Sequence, residues 1–145
     1  MGVTYVKEVM SPEELRDAYP MPEAHRKLKA ERDAQIAKVF TGESDKFLVI
    51  IGPCSADNED SVCDYLNRLA KVQEKVEDKI IIIPRIYTNK PRTTGQGYKG
   101  IVHQPDPEKA PDLSEGIIAV RKMHLRSIAE THLFAADEML YPENW

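Results

Sequence analysis

The chain has 145 residues, 41% hydrophobic and 30% charged, with a net charge of −4 at neutral pH. That length allows one ordinary domain with a core of its own, and the mixture is that of a globular protein. Its basic residues are interspersed with acidic ones, no apolar run nears the ~20 residues of a membrane span, and the amino terminus lacks a basic-then-apolar leader, so nucleic acid and membrane are excluded as expected partners and a cytoplasmic location is expected.

In chain order, Ser11-Pro12-Glu13-Glu14 predicts a short helix, with a serine cap, a proline at the first helical position and a glutamate that can reach back to the cap. Pro20 and Pro22 interrupt it. Good helix formers from Glu23 to Phe40 predict a second, heavily charged helix with a weak apolar stripe at Leu28, Ile36 and Val39, stopped by Gly42 and lying outside the core. Phe47 to Ile51 reads as a buried strand, and a helix follows from about Asn58 to Glu77, with Asn58 as its cap. Ile80 to Ile83 predicts a second strand, bounded by Asp78-Lys79 and Pro84. A long Gly-, Pro-, Thr- and Lys-rich connection, Tyr87 to Pro111, has the length of a functional or mobile segment. A helix from about Asp112 to Thr131, with Leu113, Ile117, Val120 and Ile128 inward, and a third strand from Leu133 to about Asp137 complete the pattern.

Strands alternating with helices predict an α/β fold with a parallel sheet, whose chemistry gathers at the carboxyl ends of the strands. Cys54, Arg85 and Glu138 each fall just past a predicted strand. A closed barrel of such units needs about 250 residues, so this chain supplies fewer than half of one. A Pro-Glu-Asn sequence at 142–144 has the form of a further helix start.

Two segments hold most of the candidate chemistry: Leu48-Val49-Ile50-Ile51-Gly52-Pro53-Cys54-Ser55 and Ile83-Pro84-Arg85-Ile86-Tyr87-Thr88-Asn89-Lys90-Pro91-Arg92-Thr93-Thr94. A thiolate suits iron, zinc or similar cations, while a buried structural thiol is the commoner role of a free cysteine, so both readings stand for Cys54. Arg85, Lys90 and Arg92 have the chemistry to grip phosphate or carboxylate; the alternative is a solvated cationic loop. Arg85 directly follows a strand-ending proline, where a charge is costly without a partner. Glu138 can serve as a partner for one of the arginines. Cys63, on a helical pattern with Val62, Tyr65, Leu66, Leu69 and Val76, reads as a small buried hydrophobe. Eight residues separate the two cysteines, which fits neither a zinc knuckle nor a redox pair, and a disulfide is disfavoured in a reducing compartment. The four histidines share no ligand spacing, and His124 reads as a polar surface residue. Gly95, Gly97 and Gly100 do not join a strand to a helix and so form no nucleotide fingerprint.

The blocks at 49–55 and 84–94, with Gly-Tyr-Lys-Gly at 97–100 and Ala-Asp-Glu-Met-Leu at 136–140, resemble the microbial 3-deoxy-arabino-heptulosonate 7-phosphate (DAHP) synthases, the first enzymes of the shikimate pathway to aromatic amino acids. The resemblance runs from near Val6 to Trp145. It implies a helical extension over residues 1–44, then the first part of a (β/α)8 TIM barrel over 45–145, about three βα units, truncated. It also implies a transferase that condenses phosphoenolpyruvate with erythrose 4-phosphate and releases phosphate, using a divalent metal (Mn, Fe, Co or Zn). Cys54 matches the family's cysteine ligand, and the remaining histidine, glutamate and aspartate ligands would lie beyond Trp145. By resemblance Arg85 and Lys90 are catalytic and bind phosphoenolpyruvate, Lys90 also lies near the aldehyde of the second substrate, Arg92 and Thr93 take the phosphate of erythrose 4-phosphate, Pro91 is a further substrate-binding residue, and Glu138 lies near phosphoenolpyruvate and positions water. Many relatives carry Ile-His-Asp after Gly-Pro-Cys-Ser, where this chain has Ala56-Asp57-Asn58, a change that falls at the helix start. The competing expectation is a non-catalytic fragment or assembly module. A homo-oligomer or association through exposed barrel edges is expected, because an incomplete barrel leaves an unpaired edge.

Overall fold

A computed structural model of the chain describes residues 7–90, 92 and 96–138. Helix α1 (Pro12–Ala18) starts with the predicted capping box: the Glu14 amide donates to Ser11 Oγ at 3.2 Å, and the Ser11 amide donates to the Glu14 carboxylate at 2.8 Å. Helix α2 (Glu23–Phe40) buries no residue and is laced by the ion pairs Arg26–Glu23 and Lys29–Asp33, as its charge pattern predicts. It ends at Gly42, whose φ of +76° suits a residue without a Cβ.

Strand β1 (Phe47–Ile51), helix α3 (Glu59–Val76) and strand β2 (Ile80–Pro84) form one βαβ unit. The strands are parallel, in register from Phe47 opposite Ile80 to Ile51 opposite Pro84. Asn58 caps α3 by accepting the Ser61 amide at 2.9 Å, and the apolar face of α3 places Val62, Cys63 and Leu66 in the core, so Cys63 is the buried thiol expected. Helix α4 (Leu113–Thr131), capped by Asp112, packs on α3. The core joins Ala56, Val62, Leu66, Ile86, Ile101 and Met123.

Four expectations change. β1, read as a buried strand, is largely exposed at Phe47, Ile50 and Ile51, because among the described residues it lies at the edge of a two-stranded sheet. The described residues of the connection after β2 form no helix or strand, yet they are packed: Ile101 and Val102 are buried, and the Val102 amide donates to the Thr88 carbonyl at 3.2 Å. His124 is part-buried, facing a cleft with Met21, Leu125 and Phe134, because the chain at Met21 and Phe134 lies against this side of α4. The third strand, expected from Leu133 to Asp137, is reduced to a single parallel bridge between Arg85 and Ala136.

The cause of that reduction lies along the open edge of β2. Gln73 of α3 reaches that edge first, donating from Nε2 to the Ile80 carbonyl at 2.8 Å and accepting the Ile82 amide at 2.6 Å. Pro84 has no amide hydrogen to donate. What remains is one pair of rungs, the Ala136 amide to the Pro84 carbonyl at 2.8 Å and the Ile86 amide to the Ala136 carbonyl at 2.9 Å. The described residues thus form a mixed α/β arrangement of four helices and two strands. Among them, no helix is long and apolar enough to cross a membrane.

Candidate functional site

Three segments meet past the carboxyl ends of the strands. The first leaves β1 through Gly52, where a Cβ would lie 1.7 Å from the Arg85 carbonyl oxygen. Only glycine permits that approach, and it brings Pro53 and Cys54 beside the continuation of β2. The Arg85 amide completes the contact by donating to the Ile51 carbonyl at 2.8 Å.

Arg85 is the hub. Its Nε donates to Glu138 Oε1 at 3.0 Å, its Nη1 donates to the Pro53 carbonyl at 2.9 Å, and its guanidinium lies 4.6 Å from the Tyr87 ring centroid. Side-chain exposures of 27% for Arg85 and 40% for Glu138 leave both partly open to solvent. Arg85 and Tyr87 share a face because extended backbone alternates its side chains. The same ring lies 5.5 Å from Lys90 Nζ, so one aromatic ring lies beside two cations.

Lys90 Nζ is 3.1 Å from Cys54 Sγ, and Cys54 is exposed. The thiol pKa falls below its ordinary value, chiefly because Lys90 hydrogen-bonds and attracts the thiolate, with Arg85 and Arg92 adding smaller effects against a desolvation penalty. Cys63 is pushed up by burial, so the two thiols differ sharply in character. Tyr87 is also pushed up, first by burial and then by the negative charge of Glu138.

Arg92 is exposed and donates from Nε to the Tyr98 carbonyl at 2.9 Å. The structure therefore brings together Cys54, Arg85, Lys90 and Glu138. Pro91 and Thr93, also predicted for the site, lie outside the described residues. Both readings of Glu138 meet in one place, since it pairs with Arg85 while retaining exposed surface. Among the described residues, no three His, Cys, Asp or Glu side chains converge on one point. Cys54 offers one sulfur donor of the right chemistry for a borderline-soft divalent ion, enough for a single coordination position.

Sequence reasoning passed over the groups that organise the site. Thr88 and Asn89 are 1% and 0% exposed. Thr88 donates its amide to Asp137 Oδ1 at 3.2 Å and its hydroxyl to Asp137 Oδ2, while Asn89 Oδ1 lies 2.9 Å from His103 Nε2. Gly100, at φ +101°, lets the chain pass so close that a Cβ there would lie 2.1 Å from the Thr88 carbonyl oxygen. The sequence signal for Tyr87 was its two-residue spacing from Arg85. Asp137 had none beyond adjacency to Glu138.

Residues 22–142 match the model of the DAHP synthetase I family. The chain is 33% identical over 140 residues to the Phe-sensitive phospho-2-dehydro-3-deoxyheptonate aldolase of Escherichia coli, covering 97% of this chain and 39% of that protein. It is 34% identical over 138 residues to the phospho-2-dehydro-3-deoxyheptonate aldolase of Corynebacterium glutamicum, covering 94% of this chain and 37% of that one. The solved phospho-2-dehydro-3-deoxyheptonate aldolase of Francisella tularensis superposes with a TM-score of 0.85 at 26% identity, over 96% of this chain and 40% of the other. The chain thus spans about two fifths of the length of these relatives, matching their amino-terminal part. A match over residues 22–142, the span that holds Cys54, Arg85, Lys90 and Glu138, assigns this chain to the DAHP synthetase I family.

Proposed function

We propose that this chain is the phosphoenolpyruvate-binding portion of a cytoplasmic DAHP synthase, a transferase of aromatic amino acid biosynthesis in the shikimate pathway that condenses phosphoenolpyruvate with erythrose 4-phosphate and releases phosphate. Residues 1–44 form its helical extension, and residues 45–145 form the first part of a TIM barrel. The observation that carries the reading is the convergence of Arg85, Lys90, Cys54 and Glu138 past the strand ends of a family member. Two anionic substrates repel each other in water, and fixed cations align them and neutralise that repulsion.

Arg85 presents a planar fork toward the carboxylate or phosphate of phosphoenolpyruvate, held in place by Glu138, Pro53 and the Tyr87 ring. Lys90 is a movable point charge beside it and reaches the aldehyde of the second substrate. Arg92 and Thr93 receive the phosphate of erythrose 4-phosphate, and Pro91 is a further substrate-binding residue. Glu138 orients the water that adds as the carbon–carbon bond forms. Cys54 would hold a divalent metal (Mn, Fe, Co or Zn) as one of its ligands, the others coming from residues outside those described, and such a metal when bound supplies Lewis-acid polarisation of the aldehyde.

Calorimetric titration with phosphoenolpyruvate tests the binding half: the chain is expected to bind, with Arg85→Met and Lys90→Met each weakening it about tenfold, in line with one lost charge-assisted hydrogen bond. Wild-type affinity in both variants refutes the assigned roles. In a phosphate-release assay with both substrates and manganese, these 145 residues alone are expected to show no turnover, since one metal donor does not make a catalytic centre.

One observation favours association as well. Phe47, Ile50 and Ile51 on β1 are 73%, 60% and 43% exposed, and among the described residues β1 has β2 as its one neighbour in the sheet. An apolar strand with a free edge pairs with further chain or with a second copy. Light scattering at micromolar concentration is expected to show more than a monomer; a monodisperse, folded monomer overturns it.

A further inference from the structure

We propose that Asp137 is a positioning residue of this site: its carboxylate takes over the backbone rungs between the end of β2 and the 133–138 segment, and so fixes Lys90 relative to Cys54 and Glu138. The bridge between Arg85 and Ala136 sets the register. In a parallel ladder the rungs after the Ile86 amide to the Ala136 carbonyl would be the Glu138 amide to the Ile86 carbonyl and the Thr88 amide to the Glu138 carbonyl. Neither amide takes that route. Both donate to Asp137 Oδ1, Glu138 at 2.8 Å and Thr88 at 3.2 Å, while the Thr88 hydroxyl donates to Oδ2. A short acidic side chain beside the backbone competes well for such amides, and an ionised acceptor makes the bonds stronger than the rungs they replace.

The consequence is local and directional. Thr88 is buried and lies two residues before Lys90, whose own amide donates to the Lys99 carbonyl at 2.8 Å. Asn89 between them is fully buried beside His103. The backbone from Thr88 to Lys90 therefore has little freedom while Thr88 is clamped, and Lys90 Nζ is delivered to Cys54 Sγ. Without the carboxylate, the Thr88 amide and hydroxyl lose their shared acceptor in a buried place, and the segment must shift to satisfy them. The inference rests on this geometry alone. It stands or falls independently of which substrates the site binds.

Cys54 reports the result without any need for turnover, because its exposed sulfur lies 3.1 Å from Lys90 Nζ and Cys63 is only 1% exposed. The rate of iodoacetamide alkylation of Cys54, located by peptide mass spectrometry at one fixed pH, is measured in the full chain and its variants. Lys90→Met sets the scale for complete loss of the contact. Asp137→Ala is expected to slow alkylation about threefold or more, toward the Lys90→Met rate, whereas Asp137→Asn keeps an acceptor for both amides and stays within about twofold of wild type. Thr88→Val, which removes only the hydroxyl and preserves shape, is expected to slow it by an intermediate amount and decides the matter if Asp137→Ala does not fold. A simple charge effect has the opposite sign: loss of a negative charge favours the thiolate and speeds alkylation in both Asp137 variants. That acceleration, equal slowing by Asn and Ala, or wild-type rates in both Asp137→Ala and Thr88→Val would overturn the proposal.

Discussion

Replacing Gln73 by leucine tests how the open edge of β2 is finished. Gln73 is 7% exposed and makes two bonds to the strand, 2.8 Å to the Ile80 carbonyl and 2.6 Å from the Ile82 amide. Leucine fills similar volume and offers neither group. Each orphaned buried group costs about 1–3 kcal/mol. The Ile82 amide belongs to a residue 6% exposed and takes the full penalty, whereas Ile80 is only part-buried and its carbonyl finds water more easily. Burial of the leucine side chain offsets about 1–2 kcal/mol. The net expectation is a loss of about 1–3 kcal/mol, which for a domain of this size lowers the melting temperature by roughly 3–10 °C. Thermal and urea melts followed by circular dichroism measure it. Gln73→Glu supplies a second sign. Its new carboxylate still accepts from Ile82 but faces the Ile80 carbonyl, so the folded state favours the protonated acid and raises its pKa. Stability contributed by that group is present at low pH and lost as pH rises through the folded pKa, making this variant relatively more stable in acid. A leucine variant that melts with wild type, or a glutamate variant with no such pH dependence, refutes the assigned role.

Gly52→Ala places a methyl group 1.7 Å from a backbone oxygen, which no rotamer change relieves, and is expected to cost about 2–4 kcal/mol in a chemical denaturation series, with an unchanged midpoint counting against the close approach. His124 has its pKa held below the ordinary value because burial disfavours the charged ring more than Asp137 favours it. The unfolded chain therefore takes up a proton first, stability from this group falls as pH drops below about 6.5, and His124→Leu is expected to flatten the difference in unfolding free energy between about pH 7 and about pH 5. An identical slope in both proteins excludes that contribution. Arg85→Met removes a part-buried ion pair, a bond to Pro53 and a ring contact, and with both partners partly solvated it is expected to lower stability by only about 1 kcal/mol while weakening phosphoenolpyruvate binding about tenfold. A large stability loss with unchanged binding would reverse that assignment.

The helices and the two long strands were legible because each is written locally. The capping box at Ser11, the cap at Asn58 and the four isoleucines of β2 specify their elements within a few residues, and the structure follows them closely. The charged helix α2 stays outside the core because it has no apolar face to bury. His124 and the connection after β2 were less legible, since their burial depends on what packs against them.

The sequence by itself determined which chemical groups arrive at the carboxyl ends of the strands: a cysteine after β1, two cations after β2, and a glutamate after the third segment. Only the tertiary structure decided how they are paired. Cys54 meets Lys90 across 36 residues, and Arg85 meets Glu138 across 53. It also decided that the third segment stops at a single bridge, because Gln73, Pro84 and Asp137 each remove a rung that an apolar pattern promises. Periodicity encodes a residue's own conformation; hydrogen-bond partners are settled by competition among donors and acceptors that the fold brings within reach.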